Sequence, residues 1–230
     1  MVASSADFVQ GPDASGSTVV ETSDDSDAIE FRPDGRSLRR ERNRQRVIEA
    51  LIELIREGEH APGAAAIADR AGVSHRSVFR YFDDMGDLVR EVIRTEFAHV
   101  VEVAGLGDIG VGTLPDRIDR LVVSRVTAYD MVYEMERVAR RRAPEVPALA
   151  TSLVRIDGLL RRELEEHFAP ELADVDAELR DQTLDLLVTI TSFESFDLLR
   201  RSYERSDEEI TARWTMALHR LLPPAPTPDD

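Results

Sequence analysis

Residues 65–82 read AAIADRAGVSHRSVFRYF, which is two short helical patterns joined by the turn Ala71-Gly72-Val73-Ser74. Gly72 can adopt the positive φ that ends the first helix. The hydroxyl of Ser74 can cap the second helix. A tight turn between two short helices is a common way of presenting one helix to DNA. The segment therefore predicts a helix-turn-helix.

The second helix of this segment is expected to have an inward face and an outward face. Val78, Phe79 and Phe82 are predicted to pack inward because they are apolar. The outward face is predicted to read or grip the major groove through Arg76, Ser77, Arg80 and Tyr81. Ser74 and His75 are also predicted DNA-binding residues, because they stand at the start of the helix, where His75 can project past its end.

Two neighbouring segments supply what this helix would pack against. Residues 39–57 carry a broad apolar stripe at helical spacing, and Ile67, Ala68 and Ala71 form a narrow apolar edge. Together they predict three helices around one small core.

The run Ala65–Phe82 resembles the helix-turn-helix of the TetR/AcrR family of bacterial transcriptional regulators. The resemblance implies an all-α protein with an N-terminal three-helix DNA-binding domain and a C-terminal helical domain for effector binding and dimerisation. It implies a ligand-responsive regulator, most often a repressor, that binds a palindromic double-stranded operator as a homodimer and is released by a small-molecule effector. It also implies that Arg39, Arg40 and Arg42, which lead into the first helix, approach the DNA backbone or an adjacent minor groove.

The sequence departs from the usual family pattern at three positions. Gly63 stands where a threonine commonly opens the second helix, Phe79 where a tyrosine hydroxyl would reach phosphate, and Met85 where a lysine normally starts the next helix. Three phosphate donors are therefore replaced. A helical interaction protein that has lost DNA binding is accordingly an alternative function.

The charge of the chain is unevenly distributed. The net charge is −16, yet residues 31–82 carry eleven arginines against seven acids. Residues 1–30 carry seven acids and no arginine, and residues 83–230 carry eighteen arginines against thirty-one acids. The basic part coincides with the predicted helix-turn-helix, as expected when phosphate contacts supply much of the affinity.

Composition and periodicity predict four regions. Residues 1–36 are predicted to be a disordered acidic tail, 37–84 the helix-turn-helix domain, 85–222 the effector and dimerisation domain, and 223–230 a frayed tail. About nine helices are expected in all. After the first four, these are residues 115–142 as one helix or as two separated near Asp130, then 148–168, 177–204 and 207–222. No apolar run approaches the ~20 residues that cross a bilayer, so we expect a cytoplasmic protein without a membrane partner.

The second domain is expected to hold two sites. The predicted effector pocket is lined by Arg125, Tyr129, Met131, Tyr133, Met135 and Phe193, although aromatic residues at helical spacing are also typical of a plain core. The resemblance implies dimerisation through the last two long helices. The residues assigned to that interface are Phe196, Leu199, Trp214, Leu218 and Leu221, with burial inside one subunit as the alternative.

Enzymatic chemistry finds little support in the sequence. The Gly105–Gly110 segment matches GxGxxG, which would suit a nucleotide-dependent enzyme if it followed a strand and opened a helix. The preceding residues continue a helical pattern and Pro115 delays the next helix, so a flexible interdomain loop is favoured. The five histidines lack ligand spacing, and Glu96-x-x-His99 is one pair where a di-metal bundle needs two. We expect no enzyme, no metal and no cofactor.

Overall fold

The computed structural model describes residues 35–222, which contain ten α-helices and no β-strand. The predicted all-α class is confirmed. The helices are α1 (Gly35–Arg56), α2 (Ala64–Ala71), α3 (His75–Tyr81), α4 (Met85–Ala104), α5 (Leu114–Arg142), α6 (Pro147–His167), α7 (Ala169–Leu172), α8 (Ala177–Ile190), α9 (Phe193–Asp197) and α10 (Asp207–Leu221). A π-helical turn, Leu198–Ser202, follows α9.

The described residues divide into two compact units, residues 35–88 and residues 89–222. The boundary falls four residues beyond the predicted one, within the first turn of α4. The predicted C-terminal tail and all but the last two residues of the predicted N-terminal tail lie outside the described residues. Those last two, Gly35 and Arg36, already belong to α1.

The first unit is a three-helix core closed by the start of α4. Helix α1 packs against α2 and α3 and provides the apolar stripe that its sequence predicts. The buried residues of α1 are Val47, Ile48, Ala50, Leu51, Ile52, Leu54 and Ile55. Ile67 of α2, Val78 of α3 and Leu88 of α4 complete the core, each almost fully buried. These interior positions confirm the expected packing of the three helices.

The second unit surrounds a cluster of aromatic rings contributed by α5, α9 and α10. The ring of Tyr129 lies 5.6 Å from that of Phe193, 5.7 Å from that of Phe196 and 6.4 Å from that of Trp214. Edge-on and tilted arrangements at such distances are favourable for aromatic pairs. The cluster joins the later helices of the chain to the middle of α5.

One predicted helix is interrupted. The sequence favours a single helix over residues 177–204, but α8 ends at Ile190 and α9 begins at Phe193. Ser192 caps α9 by accepting a hydrogen bond from the Ser195 amide at 3.1 Å. A serine in this geometry starts a new helix, because it satisfies an amide that would otherwise lack an intrahelical partner.

The glycine-rich segment is a fixed loop inside the second unit, which corrects both earlier interpretations. Gly105 follows helix α4 directly, so the strand that a nucleotide-binding motif requires is missing there. The Gly110 amide donates to Nδ1 of His167 at 3.2 Å, and Nη1 of Arg117 donates to the Gly112 carbonyl at 2.7 Å. Arg117 also forms a buried ion pair with Glu171. The loop is therefore held in place, and it does not lie at the boundary between the units.

Candidate nucleic-acid interface

The turn between α2 and α3 has the predicted geometry. Gly72 lies in the left-handed region at φ 64°, and its amide bonds to the last carbonyls of α2. Ser74 caps α3 by accepting a hydrogen bond from the Ser77 amide at 3.2 Å, and the two serine hydroxyls lie 2.8 Å apart. Both serines thus stabilise the start of the helix that would enter the groove.

The outward face of α3 differs from the predicted one. Its exposed residues are His75 and the residues one, four and five positions after it, which are Arg76, Phe79 and Arg80. Phe79, predicted to pack inward, is 45% exposed, whereas Tyr81, predicted to face outward, is 8% exposed. Ser77 is also largely buried. Spacing decides these faces, because residues four apart on a helix share one side.

The hydroxyl of Tyr81 is the centre of a polar cluster at the edge of the core. Nη2 of Arg80 donates to it at 3.0 Å, and Nδ2 of Asn43 on α1 donates to it at 3.2 Å. Arg80 also donates to Oγ of Ser77 at 3.3 Å. These bonds hold the guanidinium of Arg80 over the tyrosine ring, 5.1 Å from its centre.

The charges around Tyr81 are positive. Burial alone raises the pKa of Tyr81, but hydrogen bonds from Arg80 and Asn43 and the charges of Arg80 and Arg39 together lower it below its ordinary value. Stabilisation of a phenolate indicates a local field that would also attract a phosphate oxygen. Asn43 was not singled out from the sequence, since an amide eight residues into an arginine-rich helix carries no recognisable motif.

The arginine-rich leader forms the first turns of α1. Arg39, Arg40 and Arg42 are exposed, and the first turn of α1 contains no acidic residue. A run of cations at a helix N-terminus opposes the helix dipole. Exposure at this end leaves these side chains accessible to a polyanion.

The predicted effector residues only partly come together. Arg125, Tyr129 and Phe193 line a cavity of about 20 Å³ in the second unit. Nη2 of Arg125 donates to Oε2 of Glu163 at 2.5 Å, and the Tyr129 hydroxyl donates to the Thr191 carbonyl at 3.0 Å. Burial raises the pKa of Tyr129 to about 12, which keeps its hydroxyl protonated.

The other three predicted pocket residues lie outside that lining. Tyr133 packs against the rings of Phe193 and Phe196 and donates to Oδ1 of Asp197 at 2.7 Å. Met131 and Met135 are partly exposed on the same helix and do not line the cavity. For Tyr133 the core interpretation of the sequence describes the observed packing.

Comparison with known proteins identifies the fold and its first unit. A transcriptional regulator from Rhodococcus sp. Rha1 superposes with a TM-score of 0.60 at 15% identity, over 79% of this chain and 95% of that one. Residues 47–92 match the sequence model of bacterial regulatory proteins of the tetR family. The match covers the helix-turn-helix and the start of α4, so the first unit is similar to the DNA-binding domain of that family.

A second solved structure shares the fold of this chain. It is the multidrug binding protein EbrR complexed with imidazole, with a TM-score of 0.58 at 19% identity over 82% of this chain and 98% of that one. At these identities the likeness concerns the fold. No curated protein sequence matches the chain significantly.

The residues assigned to the dimer interface are mostly interior, which is a correction. Phe196, Trp214 and Leu218 are each at most 2% exposed within the single chain. Leu199 and Leu221 are partly buried and pack against the same core. Strong helical periodicity in α10 therefore marks the subunit core. Exposed apolar residues of α8 and α10 are instead Leu179, Leu186 and Met216.

The described residues offer neither a metal site nor a membrane-spanning helix. Within residues 35–222, no three histidine or acidic side chains are grouped so that they could hold a metal ion. Among the helices of that range, none combines the length and hydropathy of a membrane-spanning segment.

Proposed function

We propose that this chain is a ligand-responsive repressor of the TetR family that binds a palindromic DNA operator as a homodimer. The observation that carries the proposal is the outward face of α3, where Arg76 and Arg80 are exposed on a helix rigidly capped by Ser74. Arginine side chains on such a helix can bond guanine edges or phosphates. A protein that acts on an operator would work in the cytoplasm.

The charge pattern supports an approach to DNA by the first unit. The excess of arginine over acid is confined to residues 31–82, while the rest of the chain repels a polyanion. Arg39 on α1 and Arg80 on α3 both lower the pKa of the Tyr81 hydroxyl through their positive charges. Two copies of α3 related by a twofold axis would face half-sites about 34–36 Å apart or slightly further.

Selection of bound duplexes from random sequence tests the DNA-binding proposal. The full-length chain is expected to enrich a palindromic sequence and to retard it in a gel, with affinity falling steeply as salt rises. Absence of any enriched sequence, together with no retardation at low salt, would refute DNA binding.

The homodimer is proposed to form through the outer face of α8 and α10, defined by Leu179, Leu186 and Met216. Each of these side chains is about half exposed, and the two helices pack against each other. Leu179 and Leu186 are seven residues apart and so share one side of α8. Covering such a face with its own copy would form a four-helix contact.

Sedimentation of single variants tests this dimer. Leu186→Glu is expected to shift the protein toward monomer, since a charge would be placed in an apolar contact. Val154→Glu is the matched control, because Val154 is 73% exposed on α6 and lies outside the proposed face. Equal sedimentation of the two variants would contradict the assignment.

The effector is proposed to enter beside Arg125 and Tyr129, and the cavity must enlarge to admit it. A volume of about 20 Å³ holds a water molecule, whereas drug-sized ligands occupy roughly 300–1,000 Å³. The ion pair of Arg125 with Glu163 is the polar contact that a ligand would replace. A ligand that prefers the enlarged state would shift the population away from the DNA-binding one.

Trp214 offers a direct measurement of this step. It is the single tryptophan of the chain, and its ring lies 6.4 Å from that of Tyr129. Compounds that release the selected duplex are expected to change Trp214 fluorescence at the same concentrations. Imidazole is a suitable first probe because the solved structure of EbrR is a complex with it. If a compound releases the duplex without changing Trp214 fluorescence, the effector binds away from the cavity beside Arg125 and Tyr129.

A protein interaction module that has lost DNA binding is the second candidate function. The three replaced donor positions favour it, since Gly63, Phe79 and Met85 carry no hydroxyl or ammonium group. The gel retardation series at low salt separates the two functions, because only a repressor gives a sequence-dependent shift.

A further inference from the structure

Phe79 occupies the middle of the outward face of α3. The exposed residues of that face are His75, Arg76, Phe79 and Arg80, and Phe79 lies between His75 and Arg76 in angle. Its ring is 45% exposed and meets the imidazole of His75 edge-on, with ring centres 5.2 Å apart. A large apolar ring is therefore held outward, in a defined orientation, on the surface proposed to meet DNA.

The chemistry of a phenyl ring restricts what it can recognise there. It has no donor for a phosphate oxygen and no partner for the polar base edges. The major groove offers one apolar group, the 5-methyl of thymine, which side chains including phenylalanine contact directly. Burial of the exposed ring against that methyl would remove apolar surface of both from water.

We propose that Phe79 reads a thymine in each operator half-site by packing its ring on the 5-methyl group. The inference rests on the proposed function and adds a specificity determinant to it. His75 is the positioning residue, since its edge contact limits the orientations of the ring. Arg76 lies three residues before Phe79, ~4.5 Å along the helix, so the two side chains can contact different base pairs.

Replacing thymine with uracil removes only the 5-methyl group and therefore tests this contact directly. In the selected duplex, each thymine of the half-site is changed to uracil symmetrically, and the dissociation constant of the full-length chain is measured at fixed salt. The wild type is expected to bind the duplex that lacks the contacted methyl group about fourfold more weakly per half-site. This is the factor expected for burying a single carbon group. Phe79→Ala is expected to bind the thymine and uracil duplexes equally.

Two further variants separate this contact from a general loss of affinity. Phe79→Leu keeps an apolar side chain and is expected to retain the preference for thymine. Arg76→Ala should weaken both duplexes by the same factor and leave their ratio unchanged. Because Phe79 is exposed, the alanine variant should melt at the wild-type temperature, which circular dichroism can verify.

Three results would overturn the assignment. They are a selected half-site without thymine, a wild type indifferent to every thymine-to-uracil change, and a Phe79→Ala variant with the wild-type preference. Each leaves sequence-specific DNA binding intact and so refutes only the role of Phe79. Failure of the wild type to select any duplex would refute the repressor proposal itself, and the reading of thymine with it.

Discussion

Replacing Arg39, Arg40 and Arg42 together with alanine is expected to reduce the salt dependence of DNA binding. All three side chains are exposed at the start of α1, where no first-turn acid neutralises them. Removing them should leave the fold intact, because they contribute nothing to the buried stripe of that helix.

The size of the effect follows from counting charges. Each phosphate that a protein neutralises contributes ~0.9 to the slope of log affinity against log salt. A homodimer carries six of these arginines, so the slope should fall by up to ~5 if each lies at a phosphate. Over a fourfold rise in salt, that change corresponds to roughly a thousandfold difference in how far the affinity drops.

Fluorescence anisotropy of the selected duplex across a salt series measures this slope. The matched control replaces three exposed arginines of the second unit, Arg141, Arg155 and Arg162, and changes the net charge by the same amount. If the three arginines of α1 contact phosphates, their replacement reduces the slope of log affinity against log salt strongly, whereas the control replacement reduces it only slightly. Equal slopes in the two triple variants would refute the leader assignment, because they would show a response to net charge alone.

Three other perturbations concern stability and the replaced donors. Glu171→Ala strands the buried guanidinium of Arg117 and should lower the free energy of unfolding by about 3–5 kcal/mol, measured by thermal and urea melts. Burial lowers the pKa of His167, so the wild type should lose stability as the pH falls below about 6.5, while His167→Gln should not show this loss. Gly63→Thr adds a cap to α2, where a new Cβ meets nothing within 4 Å, and should raise stability by a few tenths of a kcal/mol and strengthen DNA binding.

Each of these has a result that would contradict it. Asp181→Ala, which breaks the exposed pair with Arg161, should cost at most about 1 kcal/mol, and an equal cost for both ion pairs would argue against the buried contact. Parallel pH profiles for the wild type and His167→Gln would mean that His167 does not titrate on unfolding. A Gly63→Thr protein with unchanged DNA affinity would show that this position is distant from phosphate.

The sequence predicts the first unit well because its signals are local. A glycine that needs positive φ, a serine cap and an apolar stripe each determine the backbone within a few residues, and Gly72 and Ser74 adopt the expected geometry. The faces of α3 were predicted less well, since residue type and spacing disagree there. Tyr81 is polar at its tip only, so its ring is buried while its hydroxyl reaches Asn43 and Arg80.

The second unit illustrates the limit of apolar periodicity. Trp214 and Leu218 repeat at helical spacing, and that pattern is equally typical of a subunit core and of an interface. The structure buries both inside one chain. The exposure of Leu186 and Met216 could not be read from the sequence, because only a tertiary arrangement shows which side of a helix is left uncovered. Likewise, the His167 ring that accepts from the Gly110 amide lies 57 residues away and leaves no local pattern.

The most direct test of the central claim is the affinity of an Arg76→Ala, Arg80→Ala double variant for the selected duplex. Both guanidinium groups lie on the exposed face of α3, and each is expected to contribute roughly 1–3 kcal/mol to operator binding. The double variant is expected to fold and dimerise normally but to lose the operator. Wild-type affinity in that variant would contradict operator binding by α3.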